Sequence, residues 1–182
     1  ILIHIIYDLE ATCWLGKPPK GVIEIIEIGA VKLNQYGEIL SHFNEYIRPV
    51  INPTLSGFCK SLTKIGQEQV DHAREFPDVI EHFIDWILEE DEDYLLSSWG
   101  EFDYRQIIKD CSLHNLESNW IENRHINLRN QYSNFTHTSK KLGLKNTVKR
   151  EGFEFTGKNH NALSDAINLS KIFVKYMDDW VY

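Results

Sequence analysis

Two carboxylates set two residues apart, Asp8 and Glu10, close the opening run ILIHIIYDLE. The β-branched, nearly continuous apolarity ahead of them predicts a strand in the middle of a sheet covered on both faces. Side chains alternate along a strand, so Asp8 and Glu10 point to the same side. Anions that are both desolvated and adjacent repel one another, and a divalent metal ion relieves both costs. The opposing reading ends the strand at Tyr7 and leaves the pair in a solvated loop, since D-x-E is a common pattern.

Three further residues can join this pair. A short apolar strand is predicted over Tyr94 to Trp99, followed by GEFD and the helix-like DYRQIIKDC, which puts Asp103 where a strand gives way to a helix. Such junctions often build sites in α/β proteins, although an Asp there also suits an ordinary helix start. A terminal helix is predicted from near Asn161 toward Tyr176, with Ala162, Ala166, Leu169, Phe173 and Tyr176 in one stripe and Asn161 as the N-cap. His160 and Asp165 frame its first turns. Five residues span about 140° of a regular helix, so the two converge only if His160 lies ahead of the helix and reaches in from the loop; taken alone, a His there is an ordinary surface residue. As a set, four carboxylates are hard oxygen ligands that suit Mg²⁺ or Mn²⁺ and not a Cys/His zinc centre. Two such ions about 3.5 to 4 Å apart stabilise both the attacking and the leaving oxygen when a phosphodiester is cut. A nearby His is then the natural base for the attacking water.

The elements that must position these residues are legible in part. With 182 residues and 42% hydrophobic content, the chain reads as one α/β domain over 1–182 with a single well-filled core. The segment ATCWLGKPPKG is a loop over the Asp8 and Glu10 end. Val22 to Leu33 and Gly37 to Ile47 read as the second and third strands, joined by a hairpin turn at Asn34 to Gly37, which favours an antiparallel meander. In LSGFCKSLTKI, the residues Phe58, Cys59, Leu62 and Ile65 have the spacing of the buried side of a short helix. Glu75 to Glu90 is the clearest amphipathic helix, with Phe76, Val79, Ile80, Phe83, Ile84 and Ile87 on one face. Residues 112–158 are mixed, with short helices expected at Leu128 to Phe135 and Ser139 to Leu142.

Composition narrows the setting. The formal net charge of −8 runs against a phosphate partner, but charge is segregated along the chain. Glu89 to Asp93 is an acidic run, most simply a solvated turn, whereas Ser139 to His160 carries Lys140, Lys141, Lys145, Lys149, Arg150 and Lys158 against Glu151 and Glu154. Cys13, Cys59 and Cys111 are too widely spaced for a disulfide framework or a metal knuckle, which reads as a reduced, intracellular and cytoplasmic chain. No run is long enough to span a membrane and no basic flank marks a signal peptide. The opening on Ile1 in place of Met fits a trimmed start.

With these residues in order, the sequence resembles the DEDDh 3′→5′ exonucleases of the RNase H-like fold. The motifs are DLEAT at Asp8 to Thr12, EFD at Glu101 to Asp103, and HNALSD at His160 to Asp165, the last fitting H-x-A-x-x-D. DLEATC, EIIEIGAVKLN, the RP-x-x-NP segment at Arg48 to Pro53 and LSGFCKSLTKIGQEQVDHA are similar to the branch containing the 3′ histone-mRNA exonuclease and the sporulation inhibitor KapD. The expected fold is a mixed five-stranded sheet flanked by helices, the first three strands antiparallel and the later ones parallel to the first. The resemblance implies two ions, with Asp8 bridging both, Glu10 and Asp165 completing the first shell, and Asp103 serving the second through water. It implies His160 as general base, and a terminal nucleotide held by the backbone around Leu9 to Ala11 and by the side chains of Phe58 and Leu62. The implied reaction removes nucleoside 5′-monophosphates from a 3′ end, with RNA favoured over DNA as the partner. Ser164 stands where that branch often has another acidic residue. Without a visible extra nucleic-acid-binding module, capture falls to the basic 139–160 segment or to an unidentified protein partner. Two rivals remain at this point: a DNA-directed proofreading or repair exonuclease of the same fold, and a non-catalytic RNase H-like binding module.

Overall fold

The computed structural model describes residues 2–89, 92–138 and 142–182. Its strands are β1 (Leu2–Ala11), β2 (Ile25–Leu33), β3 (Ile39–Arg48), β4 (Arg74–Glu75), β5 (Asp93–Ser98) and β6 (His125–Asn127), joined in one six-stranded sheet of order β4-β3-β2-β1-β5-β6. β1 to β3 form the expected antiparallel meander, and β5 and β6 run parallel to β1. The expected mixed α/β sheet is present, but its strand count is corrected from five to six. The additional strand, β4, is two residues long and pairs with the end of β3, too short to carry an alternation signal.

The helices are α1 (Gly57–Thr63), α2 (Gln67–Asp71), α3 (Phe76–Leu88), α4 (Phe102–Leu113), α5 (Leu128–Phe135), α6 (Leu144–Arg150) and α7 (Ala162–Lys175). α5 has the bounds read from sequence, while α6 was not anticipated. Residues 139–141 of the helix expected at Ser139 to Leu142 lie outside the described residues.

Helices on both faces explain the apolar opening run. Ile3, Ile5, Tyr7 and Leu9 of β1 pack with Phe76, Val79, Ile80 and Phe83 of α3 and with Ile107 and Cys111 of α4. Ile6, in the opposite phase, packs with Val31 and Leu33 of β2 and with Leu169, Ile172 and Phe173 of α7. Asp8 and Glu10 continue the phase of Ile6, so alternation delivers both to the α7 side. β1 pairs with β5 only as far as Ile6, opposite Ser97. The carboxylate end therefore runs past its neighbour and leaves one edge free of strand pairing.

Two devices bring the other elements to that end. Asp110 of α4 accepts the Ile25 N–H at 2.8 Å, and Gln106 donates to the Ile23 carbonyl at 2.9 Å, which ties α4 to the start of β2. α7 lies directly on β2 at Gly29, which sits opposite Asp8 in register. A Cβ on Gly29 would collide with the backbone of Ala162 and Leu163, so the residue is small because a helix start occupies its space. Gly29→Ala is expected to lower stability by about 1 to 3 kcal/mol, the usual cost of overpacking, measured by urea unfolding in EDTA. An unchanged midpoint would mean that α7 is free to slide.

Candidate active site

The sequence motifs meet at the end of β1. Asp103 stands in the first turn of α4, and its Oδ1 accepts the Leu9 N–H at 3.2 Å. Asp165 lies in the first turn of α7, whose N-cap is Asn161; the Asn161 side chain accepts the Ser164 N–H at 3.1 Å. His160 precedes that cap with a left-handed φ of 60°, an uncommon conformation for a residue with a side chain. Its N–H donates to Asp165 Oδ2 at 3.3 Å. That turn is how residues five apart reach one place: ligand atoms of Glu10, His160 and Asp165 lie within 4.8 Å of one another.

The electrostatics are those of a site built for cations. Burial, reinforced by Asp103, Asp165, Glu10 and Glu27, pushes the Asp8 carboxyl well above its ordinary range. Burial together with Asp165 and Glu27 raises Glu10 to about 8. Asp103 and Asp165 are each pushed up to about 6, chiefly by desolvation and against the pull of the backbone amides that bond them. Asp165 Oδ1 is buried without a hydrogen-bond partner among the described residues. An orphaned buried oxygen inside a cluster of repelling carboxylates fits a hard divalent ion and has no purpose in a solvated surface cluster.

The expected nucleotide contacts fall into two groups. Leu9 and Ala11 are buried, and they form the part of β1 that overruns β5. The Leu9 N–H is already committed to Asp103, so that amide is a brace and not an open donor. α1 docks against the same end of β1, with Ser56 Oγ donating to the Cys13 carbonyl at 2.5 Å and Cys59 Sγ lying 3.7 Å from the Ala11 carbonyl. Cys59 is fully buried while Phe58 is 36% exposed and Leu62 is half-buried. The spacing that looked like one buried stripe is therefore split: Cys59 and Ile65 enter a small core with Ile26, Leu55 and Val70, and Phe58 faces outward.

A fifth carboxylate was missed. Glu27 is fully buried on β2 directly opposite Glu10, and desolvation raises it to about 7. The available signal was an acidic residue inside the apolar run IIEIGAV, where an unpaired charge is costly. The acidic run at 89–93 is solvent-exposed at its two ends, each of which also meets a cation. Glu89 lies 3.5 Å from the buried Lys32, and Asp93 opens β5 while paired with Arg124.

These shifts set a pH dependence. Above their ordinary value of 6.5, His4 and His125, which burial lowers to about 4, are largely neutral both folded and unfolded. Glu10 and Glu27, raised to about 8 and 7, then dominate. Their folded pKa values exceed the unfolded ones, so the folded protein binds more protons and stability is lost as pH rises. The melting temperature in EDTA is expected to fall from pH 6.5 to 8, and saturating Mn²⁺ is expected to remove that fall by favouring the ionised carboxylates. A flat profile in EDTA, followed by scanning fluorimetry, would contradict the buried cluster.

Comparison with known proteins gives the same assignment. The Exonuclease family model, RNase_T, matches residues 5–173, from within β1 into α7. Human 3'-5' exoribonuclease 1 is 38% identical over 181 residues, covering 96% of this chain and 52% of the relative. The chain thus spans about half the length of that relative. The probable 3'-5' exonuclease KapD of Bacillus subtilis (strain 168) is 32% identical over 181 residues, covering 98% of this chain and 86% of KapD. Among solved structures, the nuclease domain of 3'hExo, a DEDDh family member bound to rAMP, superposes with a TM-score of 0.90 at 36% identity, covering 97% of this chain and 92% of that one. Motif order, fold and match length agree, and the chain belongs to the RNase_T exonuclease family with the architecture of its DEDDh members.

Proposed function

We propose that the chain is one exonuclease unit that removes nucleoside 5′-monophosphates from the 3′ end of single-stranded RNA. The observation that carries this reading is the convergence of Asp8, Glu10, Asp103, Asp165 and His160 on the overrunning end of β1, with one Asp165 oxygen left without a partner among the described residues. In this reading the four aspartate and glutamate side chains hold two divalent ions, Mg²⁺ or Mn²⁺. Such ions supply charge neutralisation at the phosphodiester and a water of lowered pKa.

The remaining work falls to the chain's own groups. The exposed His160 imidazole, beside Glu10 and Asp165, takes the proton of the attacking water. Asp165 accepts the His160 N–H and so orients the turn that carries the ring. The Leu9 N–H holds Asp103 against β1. Phe58, outward-facing on α1, stacks on the terminal base, with Leu62 beside it and the Leu9 to Ala11 edge of β1 beneath. The exposed Lys145, Lys149, Arg150 and Lys158 provide a route for phosphates toward the site in a chain that is acidic overall. Cys13, Cys59 and Cys111 are free thiols, which supports a reducing, cytoplasmic setting. No helix among the described residues is long and apolar enough to cross a membrane.

RNA is favoured over DNA because the human relative is named an exoribonuclease and the 3'hExo nuclease domain was solved with rAMP, a ribonucleotide. Groups committed to a 2′-hydroxyl are left unpaired on DNA, at a cost of about 1 to 3 kcal/mol, or roughly 5- to 150-fold. Digestion of 5′-labelled single-stranded RNA and matched DNA, with Mn²⁺, Mg²⁺ or EDTA, tests the whole reading. The expected result is a metal-dependent ladder shortening from the 3′ end, faster on RNA and absent in Asp8→Ala. Equal rates on both polymers would favour the DNA-directed enzyme, and binding without cleavage would favour the inactive module.

The role of His160 is tested separately. His160→Ala is expected to lower turnover by roughly 10² to 10⁴ while leaving Mn²⁺ affinity nearly intact in calorimetry. Loss of Mn²⁺ binding in that variant would make the imidazole a ligand instead.

A further inference from the structure

We infer that Glu27 is a positioning residue for the proposed reaction: its carboxylate grips the start of α7 and thereby aims His160 and Asp165 at the Asp8 and Glu10 pair. This inference rests on the exonuclease reading above. The site's carboxylates divide by what their oxygens already do. Asp165 keeps a buried oxygen without a partner among the described residues. Glu27, by contrast, has both oxygens engaged by the protein. Its Oε1 accepts from Asn44 Nδ2 at 3.1 Å and from Asn161 Nδ2 at 2.9 Å, and its Oε2 accepts the Ala162 N–H at 3.2 Å. A carboxylate oxygen has about two lone-pair sites, so Oε1 is full. Glu27 is built to hold protein groups, although it lies beside a site built to hold cations.

What it holds is the junction on which the imidazole depends. The Ser164 N–H can only donate, so Asn161 turns its Oδ1 toward the helix and its NH₂ toward Glu27 Oε1, which accepts it. That Oδ1 accepts both the Ser164 N–H at 3.1 Å and the Ser164 hydroxyl at 2.8 Å. One amide is thus fixed at both ends, with Glu27 holding the end that faces β2. The residue immediately before it is His160, held at a φ of 60°, a conformation that persists in a non-glycine residue only when its surroundings impose it. Gly29, two residues along the same face of β2, removes the obstacle to close approach, and Glu27 supplies the attachment. The register places Glu27 opposite Glu10 and Gly29 opposite Asp8, so the start of α7 is fastened beside the two carboxylates it must complete.

The arrangement suggests a swap of hydrogen-bond polarity as the test. Glu27→Gln keeps the shape but brings an NH₂ against either the Asn161 NH₂ or the Ala162 N–H, according to which way its amide turns. Asn161→Asp keeps a good N-cap but brings a carboxylate against Glu27. The double variant, Glu27→Gln with Asn161→Asp, restores one donor facing one acceptor, and the exposed Asn44 is free to turn its amide. Each single variant is expected to lower kcat on RNA by about 10- to 100-fold, the range for groups that orient a catalytic residue, with KM for RNA and Mn²⁺ affinity little changed. The double variant is expected to recover most of the turnover. Amide hydrogen exchange in EDTA reads the same junction without activity: protection at Ala162 and Ser164 should fall in Glu27→Gln and return in the double variant. Wild-type kcat in Glu27→Gln, a double variant no better than the singles, or loss of Mn²⁺ binding in Glu27→Gln would each overturn the inference. Wild-type protein lacking 3′ exonuclease activity would instead overturn the functional reading, with the exchange result still reporting on the junction.

Discussion

Desolvated carboxylates crowded at one strand end repel each other, and the rest of the fold is arranged to withstand that repulsion. Burial raises all four carboxyls, and neighbouring carboxylates add to the shifts of Asp8, Glu10 and Asp165, so without cations the cluster favours separation. The opposing forces come from elsewhere. β1 is locked between β2 and β5 and is covered by α3 and α4 on one face and α7 on the other. Backbone amides at Leu9 and His160 hold Asp103 and Asp165 in place. Because amides on packed elements move little, the carboxylates are held preorganised for a divalent cation.

Buried acids in this protein follow a simple division. Those that shape the scaffold have their oxygens occupied by protein donors. Glu24 takes the N–H groups of Val50, Ile51 and Asn52 at 2.6, 2.8 and 2.8 Å, which fixes the chain between β3 and α1. Asp110 takes Ile25 N–H and Gln106, and Glu27 takes the start of α7. Asp165, at the end of β1, accepts the His160 N–H on one oxygen and keeps the other buried without a partner among the described residues. A negative charge buried for structure is satisfied by donors, and an oxygen left without one is the contrast that residue type alone does not reveal.

α1 shows how a short helix is held by its surroundings. Seven residues are too few to be stable alone, and its hold comes from the Ser56 cap, from Cys59 in the core beneath it and from its attachment to the Cys13 and Ala11 carbonyls. The attachment is at the end of β1 that carries the acidic cluster, so α1, with Phe58 facing outward, is fastened to that end although fifty residues separate Phe58 from Asp8 in sequence.

Much of the frame and most of the acidic set were legible without coordinates. β1, α3 and α7 are long enough for their apolar period to rise above noise, and the Asn34 to Gly37 turn and the Asn161 cap have local chemistry that names them. Asp8, Glu10, Asp103, His160 and Asp165 stood out because short motifs carry them. β4, β6 and α6 were missed or unassigned, since two to seven residues hold too little periodicity and their conformation is imposed by neighbours. The side on which Phe58 and Cys59 lie was also undecided, because helical spacing marks a stripe without saying whether a core or a ligand meets it. Glu27 is the sharpest case. Its sequence context announces only a charge within a strand, while its meaning depends on Asn44 and Asn161, seventeen and 134 residues away, arriving within hydrogen-bond distance. Local pattern therefore determined which residues were available for chemistry, and long-range packing decided which oxygens were left free to perform it.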